Sequence, residues 1–330
     1  MVAMGVFPAI YSTLAPEALV QSVLVEYEIG AIVKCLFWHR GLSDVYLIET
    51  DTQPYILKIS HHHWRSRSDI QFELEFLDFL HQHHLPVAYP LKTKAAELFV
   101  TVHAVEGDRY AALFPFAPGE VPQGDLSIEQ SQIMGQTLGK IHQTAVNFHN
   151  NTKRQPLCPE YLLDRSLETI KPYFRGRTRD LAYLLDTAAQ IRQQLSELES
   201  SSPLQSVCWG DPHSGNVHFT GDNQITLFDF DQCGYGWRIF DLAKFLQVSL
   251  NAGINSRIRD SFFQGYQEIA ALTEIETASL QSLTKMAHIW AWAISIKTVA
   301  FHSWSRLDNF YVNRHLNQLK RLSSPEWQLF

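Results

Sequence analysis

The sequence predicts an α+β fold of two lobes: an antiparallel β-sheet with one helix in front, and a mainly α-helical lobe behind. Three observations carry that expectation. Residues 31–60 alternate short β-branched and aromatic runs with turn chemistry. Beyond residue 120, apolar side chains recur mostly at helical spacing. Between the two regimes lies Phe116-Ala-Pro-Gly119, rich in chain breakers. A length of 330 residues suits about two domains. The expected division is a front lobe 1–113, a hinge 114–119 and a back lobe 120–330.

Residues 12–28 read as a helix: Ser12 or Thr13 can cap it, Pro16 suits its first turn, and Leu19, Val23 and Tyr27 share a face. Three strands follow, 31–38, 44–50 and 55–59, and short turns between them make an antiparallel meander. Phe72, Phe76, Leu77 and Leu80 make 69–81 an amphipathic helix. A Pro-bounded loop covers 85–90, and 97–105 and 109–114 read as two more strands. In the back lobe 127–143, 161–173 and 179–199 are helical, and 200–203 is a polar linker. Residues 207–209, 217–220 and 224–230 read as one inserted β ribbon. From 239 to 322 the pattern is almost continuously helical, with Trp290, Trp292 and Trp304 on a long helix 284–306.

Composition excludes several classes. Apolar residues make up 45% and charged residues 18%, which is not a disordered chain. The net charge is -7 with no basic stripe, so a nucleic-acid partner is not expected. No window approaches the roughly 20 apolar residues of a membrane-spanning helix. The first residues lack the basic start of a secretory signal. Cys35, Cys158, Cys208 and Cys233 are far apart, as free thiols of a reduced cytoplasm would be. Of 15 histidines, His61–His63, His81, His83 and His84 lie at element ends and read as solvated surface.

The densest chemistry lies in residues 208–246. Asp211 and Asn216 stand five apart across a Pro- and Gly-containing loop, and Asp229 follows 13 residues later at the end of an apolar run. Phosphoryl transfer from ATP needs one carboxylate to accept or orient the acceptor hydroxyl proton. It also needs an amide oxygen and a second carboxylate to hold Mg²⁺ against the phosphates. The spacing is that of the two loops protein kinases use for those tasks. The front lobe should then supply a lysine for the phosphates and a glutamate to hold it. Lys58 lies in the strand 55–59, and Glu73 follows 15 residues later on the next helix. Glu75 points about 200° away from Glu73 on an ideal helix, so only one faces the sheet. Between the first two strands, Gly41, Leu42 and Ser43 stand where a phosphate-covering loop belongs; backbone N–H groups and the Ser43 hydroxyl are its candidate contacts. A plain hairpin turn fits the same residues.

These residues resemble the aminoglycoside phosphotransferase and choline kinase group, which has a protein-kinase-like bilobal fold. Its His-Gly-Asp-x-His-x-x-Asn loop is similar to Trp209-Gly210-Asp211-Pro212-His213-Ser214-Gly215-Asn216. Its metal loop and following helix match Phe228-Asp229-Phe230-Asp231 and Asp241-Leu242-Ala243, and its Leu-Gly-x-x-His motif matches Leu138–His142. The match runs from about 36 to 246; within the group it looks most like bacterial stress-response kinases and type II homoserine kinases. The resemblance implies Asp211 as catalytic base, Asn216 and Asp229 as Mg²⁺ ligands, and Lys58 on the α- and β-phosphates of ATP. It also implies adenine contacts from backbone near Phe114 and Phe116, and Asp241 tying the catalytic loop through backbone hydrogen bonds. Two departures stand out: Trp209 replaces a histidine that buttresses the metal loop, and the phosphate loop is poor in glycine.

The acceptor expected is a small-molecule hydroxyl. Gly210 occupies the position where a phosphorylation-gated protein kinase carries Arg, and Phe240 comes only 11 positions after Asp229, too few for an activation loop. Residues 251–330 hold six acidic against eight basic side chains, which argues against a polycationic antibiotic. A Ser/Thr protein kinase of the stress-response type and a nucleotide-binding pseudokinase are the alternatives.

Overall fold

The computed structural model describes residues 7–201 and 206–329. The chain divides into two compact units. One is built on residues up to Pro118 together with His149–Arg154, the other on Gly119–Phe148 and the chain from Gln155 onward.

The first unit is a five-stranded antiparallel sheet in the order β1-β2-β3-β5-β4. Its strands are β1 (Ile32–Arg40), β2 (Ser43–Thr50), β3 (Pro54–Ser60), β4 (Val100–Ala104) and β5 (Gly107–Pro115). Period-two alternation sends Tyr55, Leu57 and Ile59 of β3 into a core with Ala111 and Leu113 of β5 and with Leu19, Val23, Leu24 and Tyr27. Lys58 therefore points to the other face, where α2 (Arg67–Gln82) runs. Ser66 and Asp69 close a capping box that starts α2 before the expected residue 69.

The expected helix over 12–28 is shorter. α1 spans Pro16–Ser22 with no side-chain cap, and a 3-10 turn covers Leu24–Glu26. The would-be caps are used elsewhere: Ser12 Oγ donates to Glu106 at 2.7 Å, and Thr13 Oγ1 accepts from Arg40. Glu75 is not simply solvated, because Asn150 and Thr152 of the 149–154 segment both donate to it. His62, His63, His81, His83 and His84 are exposed as expected. His61 is buried, 3.4 Å from Asp44.

The second unit is mainly helical. α3 spans Ile128–Ala145 and α5 Thr178–Ser201, while α4 covers only Arg165–Ile170. The expected helix 161–173 is broken into a π-turn, α4 and a 3-10 turn containing Pro172, which cannot donate a helical hydrogen bond. α5 runs through the first residues of the expected 200–203 linker, and the rest of that linker lies outside the described residues.

The expected single ribbon is two. β6 (Ser206–Cys208) pairs with β9 (Gly234–Gly236), and β7 (Val217–Phe219) pairs with β8 (Ile225–Leu227). β9 escapes a sequence reading because Gly-Tyr-Gly has little intrinsic strand preference. Four helices follow: α6 (Arg238–Ala252), α7 (Ser256–Ile269), α8 (Glu274–His302) and α9 (Asn309–Leu322). α8 begins ten residues before the expected 284, at a Thr273–Glu276 capping box, and ends before Trp304, which is exposed beyond it. Trp290 and Trp292 are both buried. α3 and α7 approach so closely that a Cβ on Gly135 would meet the Phe262 carbonyl, and one on Gly265 the Gln132 carbonyl. No helix among the described residues is long and apolar enough to cross a membrane.

Candidate active site

The 209–216 loop leaves β6 and is gripped by α6. Asp241, in the first turn of α6, accepts from the backbone N–H of Trp209 at 2.7 Å and of Gly210 at 2.8 Å. These bonds match the tie that the resemblance implied for Asp241. His142 at the end of α3 lies 2.9 Å from the same carboxylate and 2.9 Å from the Tyr266 hydroxyl. His142, Cys208 and Asp241 lie within 4.8 Å of one another. Their polar atoms are already paired, since Cys208 Sγ donates to the Trp237 carbonyl at 3.2 Å. The trio is a buried hydrogen-bonded strut for the loop.

Two local constraints shape the loop. Gly210 has φ +88°, and a Cβ there would overlap the carbonyl of Gln232. Arg is therefore sterically barred from the position where a gated protein kinase carries it. Trp209 is fully buried, stacks on Phe230 with ring centroids 5.3 Å apart, and donates its indole N–H to the Asp229 carbonyl at 3.1 Å. Its single N–H thus reaches the second loop directly. Asp229 has φ +58°, a left-handed conformation tolerated better by Asp than by most side chains. Such backbone persists where its surroundings over-determine it.

Asp211, Asn216 and Asp229 come together around the β7–β8 ribbon. Asn216 is buried and donates its amide N–H to the Asp211 carbonyl at 3.1 Å, which turns its amide oxygen away as an acceptor. The backbone N–H of Phe228, next to Asp229, donates to the Asn216 carbonyl at 3.0 Å. An amide oxygen and a carboxylate are both donors that a hard divalent cation takes, and the Phe228–Asn216 backbone bond ties the chain segments that carry them.

The Asp211 carboxylate is engaged on both oxygens. Lys244 Nζ of α6 lies 3.3 Å from Oδ1, and Gln232 Nε2 donates to Oδ2 at 3.1 Å. His213 Nε2 lies 3.6 Å from Oδ2; its Nδ1 accepts from the Gly215 N–H, so the proton sits on Nε2 and faces the carboxylate. Burial pushes the Asp211 pKa up, but Lys244 and His213 outweigh it and hold it at about 2. The Asp211 side chain remains 18% exposed.

In the first unit Lys58 Nζ lies 3.0 Å from Glu73 Oε1, as the spacing suggested, with Glu73 buried. Gly41, Leu42 and Ser43 form a tight hairpin, with Gly41 N–H donating to the Ser43 carbonyl at 3.0 Å. Ser43 begins β2 opposite Ser60 and is buried, so its hydroxyl is not at a loop tip. Phe114 is buried in β5, and the Phe116 N–H is bonded to the Pro54 carbonyl at 3.2 Å. That N–H is therefore already bonded within the sheet unit.

Two neighbours of Asp211, and a buried ion pair in the sheet unit, escaped the sequence reading. Lys244 sits three residues after Asp241 in an otherwise apolar helix start, Ile-Phe-Asp-Leu-Ala-Lys-Phe-Leu, and its signal was a charge on a face that must be buried. Gln232, against Asp211, carried no signal. Asp44 of β2 and Arg109 of β5, both fully buried and 2.9 Å apart, meet across the intervening β3, which local pattern cannot show.

A family model for the phosphotransferase enzyme family matches residues 36–277, and the chain belongs to that family. Among its relatives, an uncharacterized protein of Synechocystis sp. (strain PCC 6803) is 51% identical over 329 residues, covering 100% of this chain and 91% of that protein. The homoserine kinase of Zymomonas mobilis is 24% identical, covering 86% of this chain and 89% of that one. Among solved structures, amicoumacin kinase hAmiN, in complex with AMP-PNP, Ca²⁺ and Ami, superimposes with a TM-score of 0.77 at 21% identity, covering 94% of each chain. The kinase-like fold and the phosphotransferase class expected from the sequence are both met.

Proposed function

We propose that this phosphotransferase moves the γ-phosphoryl group of ATP to the hydroxyl of a small-molecule acceptor. Asp211 is the base, and Asn216 and Asp229 hold a divalent ion, Mg²⁺. The reading is supported above all by the grouping of Asp211, Asn216 and Asp229 around one ribbon, with the Asp211 carboxylate oriented from three sides. A bound Mg²⁺ neutralises phosphate charge. Asp211 receives the acceptor O–H as a hydrogen-bond donor and orients the oxygen lone pair at the γ-phosphorus. Its low basicity suits a loose transition state, where the proton leaves late and positioning dominates. Lys58, held by Glu73, meets the α- and β-phosphates, and backbone at Gly41, Leu42 and Ser43 covers them. Backbone near Phe114 and Phe116 meets adenine, with the Phe116 N–H already spent.

The acceptor is set apart from protein by Gly210, which leaves no room for the arginine that reads a phosphorylated activation loop. A homoserine kinase among the relatives and an amicoumacin kinase among the similar structures support a small-molecule acceptor. The four free cysteines suit the reducing cytoplasm. The test is Mg-ATP turnover against a panel of amino alcohols, hydroxy amino acids, sugars and peptides, with thermal shift on wild type and Asp229→Ala. Turnover on a small acceptor, and a Mg-ATP shift lost in Asp229→Ala, are expected. Peptide phosphorylation with no small acceptor would replace this reading with a protein kinase, and a nucleotide-insensitive melt with a pseudokinase.

A further inference from the structure

α6 presents one polar stripe to the 209–216 loop. Asp241, Lys244 and Gln247 are spaced i, i+3, i+6, so they lie along one side of the helix. All three are buried, at 0%, 5% and 3% exposure. Asp241 holds the loop backbone at Trp209 and Gly210. Lys244 reaches the side chain of the next residue, Asp211, and Gln247 Oε1 accepts from Lys244 Nζ at 3.1 Å. The ring of Trp290 closes the third side of the ammonium, with its centroid 6.0 Å away, inside cation–π range. The three N–H groups of Lys244 thus have a carboxylate, an amide oxygen and an aromatic face.

A buried lysine loses water on every side and is retained only where its partners compensate. Helix packing alone would be served by an apolar residue at this position, next to Phe245 and Leu246. What the ammonium adds is a fixed charge on one oxygen of Asp211. Gln232 and His213 hold the other oxygen, so the carboxylate plane is set from two edges.

We propose that Lys244 is a positioning residue for phosphoryl transfer: seated by Gln247 and Trp290, it locks the Asp211 carboxylate in the orientation that meets the acceptor hydroxyl. This rests on the reading of Asp211 as base given above. In the step it serves, the acceptor oxygen's lone pair forms the new bond to the γ-phosphorus. The bond from that phosphorus to the β,γ-bridging oxygen breaks with its electron pair going to ADP, and the hydroxyl proton passes to Asp211. Lys244 enters none of those bonds. It decides how often Asp211 stands correctly when they form.

The test is a double-mutant cycle on Asp211 and Lys244, read in kcat and in KM for ATP. Mg-ATP is the donor, and the acceptor is the best of the hydroxyl panel or, failing one, water. Lys244→Met should lower kcat by about 30- to 300-fold while KM for ATP stays within about threefold, the split expected when transition-state geometry is lost but nucleotide binding is not. Lys244→Arg should recover part of the loss, because charge and reach are kept. In the Asp211→Asn background, Lys244→Met should cost no more than about twofold further, since a residue acting through Asp211 has nothing left to act on. Gln247→Ala, which unseats the lysine without leaving a buried charge unpaired at Asp211, should show a smaller loss of about 5- to 10-fold, also silent in Asp211→Asn. It carries the test if Lys244→Met does not fold. Equal losses in both backgrounds would mean a purely structural role and overturn the proposal. An inert wild type would instead overturn the phosphotransfer reading of Asp211, and the role of Lys244 with it.

Discussion

Asp44 in the sheet unit and Asp211 in the helical unit are both carboxylates with cationic partners, and they are built for opposite ends. Asp44 is fully buried. Arg109 lies 2.9 Å from one oxygen, Arg40 3.1 Å and His61 3.4 Å from the other, and Tyr11 donates to it as well. Arg109 in turn donates to the carbonyls of Ser60 and Ser12, both at 2.8 Å. The cluster staples the chain around residues 11–13 to the sheet and leaves Asp44 no room for a ligand. Asp211 has a lysine, a compact charge, in place of an arginine fork, and keeps 18% of its side chain exposed. The difference teaches that a shifted pKa does not mark a working carboxylate. Residual access separates the carboxylate proposed to meet substrate from the one that holds the fold.

The largest expected effects follow from exchanging the two roles. Asp44→Ala leaves the buried Arg109 without its main counter-ion and should destabilise the fold by about 3–5 kcal/mol. Asp211→Asn keeps shape and should lower kcat by about 10³-fold, within the range for loss of a general base. Its denaturant midpoint should fall by less than that of Asp44→Ala, because Asn keeps an oxygen for Lys244 and the Asp211 side chain is partly exposed. Urea unfolding and steady-state turnover on both variants check the contrast. If Asp44→Ala is as stable as wild type, or if Asp211→Asn turns over normally, the contrast fails.

Acid should separate the units in a second way. In the helical unit burial holds His288 down at about 4, and burial with His288 nearby holds His315 at about 3, both below the ordinary 6.5. Unfolding lets these rings take up protons, so stability falls as pH drops from about 6.5 toward 4. Asp44 lies below its ordinary 3.8: burial raises it, and the bonds from His61, Tyr11, Arg109 and Arg40 outweigh that. A lowered carboxylate contributes stability that is present above 3.8 and lost below it. Urea midpoints from pH 8 to 3 should therefore fall in two stages. His288→Gln should flatten the first stage and Asp44→Asn the second. A single fall below pH 4, unchanged in His288→Gln, would remove the helical unit from this account.

Much of this was legible in the sequence where chemistry is local. One lysine in an apolar strand points to Lys58, and Glu73, 15 residues on, is its expected ion-pair partner, which the 3.0 Å contact bears out. The spacing of Asp211, Asn216 and Asp229 marks the candidate site in the sequence itself. What escaped depends on contacts distant in sequence. Lys244 meets Asp211 across 33 residues and Arg109 meets Asp44 across 65. The first helix was overestimated because Ser12 and Thr13 have capping chemistry that a distant Glu106 and Arg40 use instead. His61 looked like surface because its burial depends on Tyr11 and Asp44, neither of them sequence neighbours.

The smallest expected effect concerns Trp209, where the loops of the helical unit meet. Trp209→Phe keeps a ring to stack on Phe230 but removes the N–H that bonds the Asp229 carbonyl. A buried acceptor left without its donor costs about 1–3 kcal/mol. The left-handed backbone of Asp229 also loses a restraint. Because this bond holds the Asp229 backbone and does not touch Asp211, the change should raise the KM for Mg²⁺ severalfold and leave kcat at saturating Mg²⁺ within about threefold. Trp209→His, which retains a ring N–H donor, should recover part of the Mg²⁺ affinity. Mg²⁺ titration of initial rates for the three proteins reads this directly. If kcat at saturating Mg²⁺ fell as far as in Asp211→Asn while the Mg²⁺ dependence stayed put, the indole would be acting on the base, and the division of labour between the two loops would be wrong.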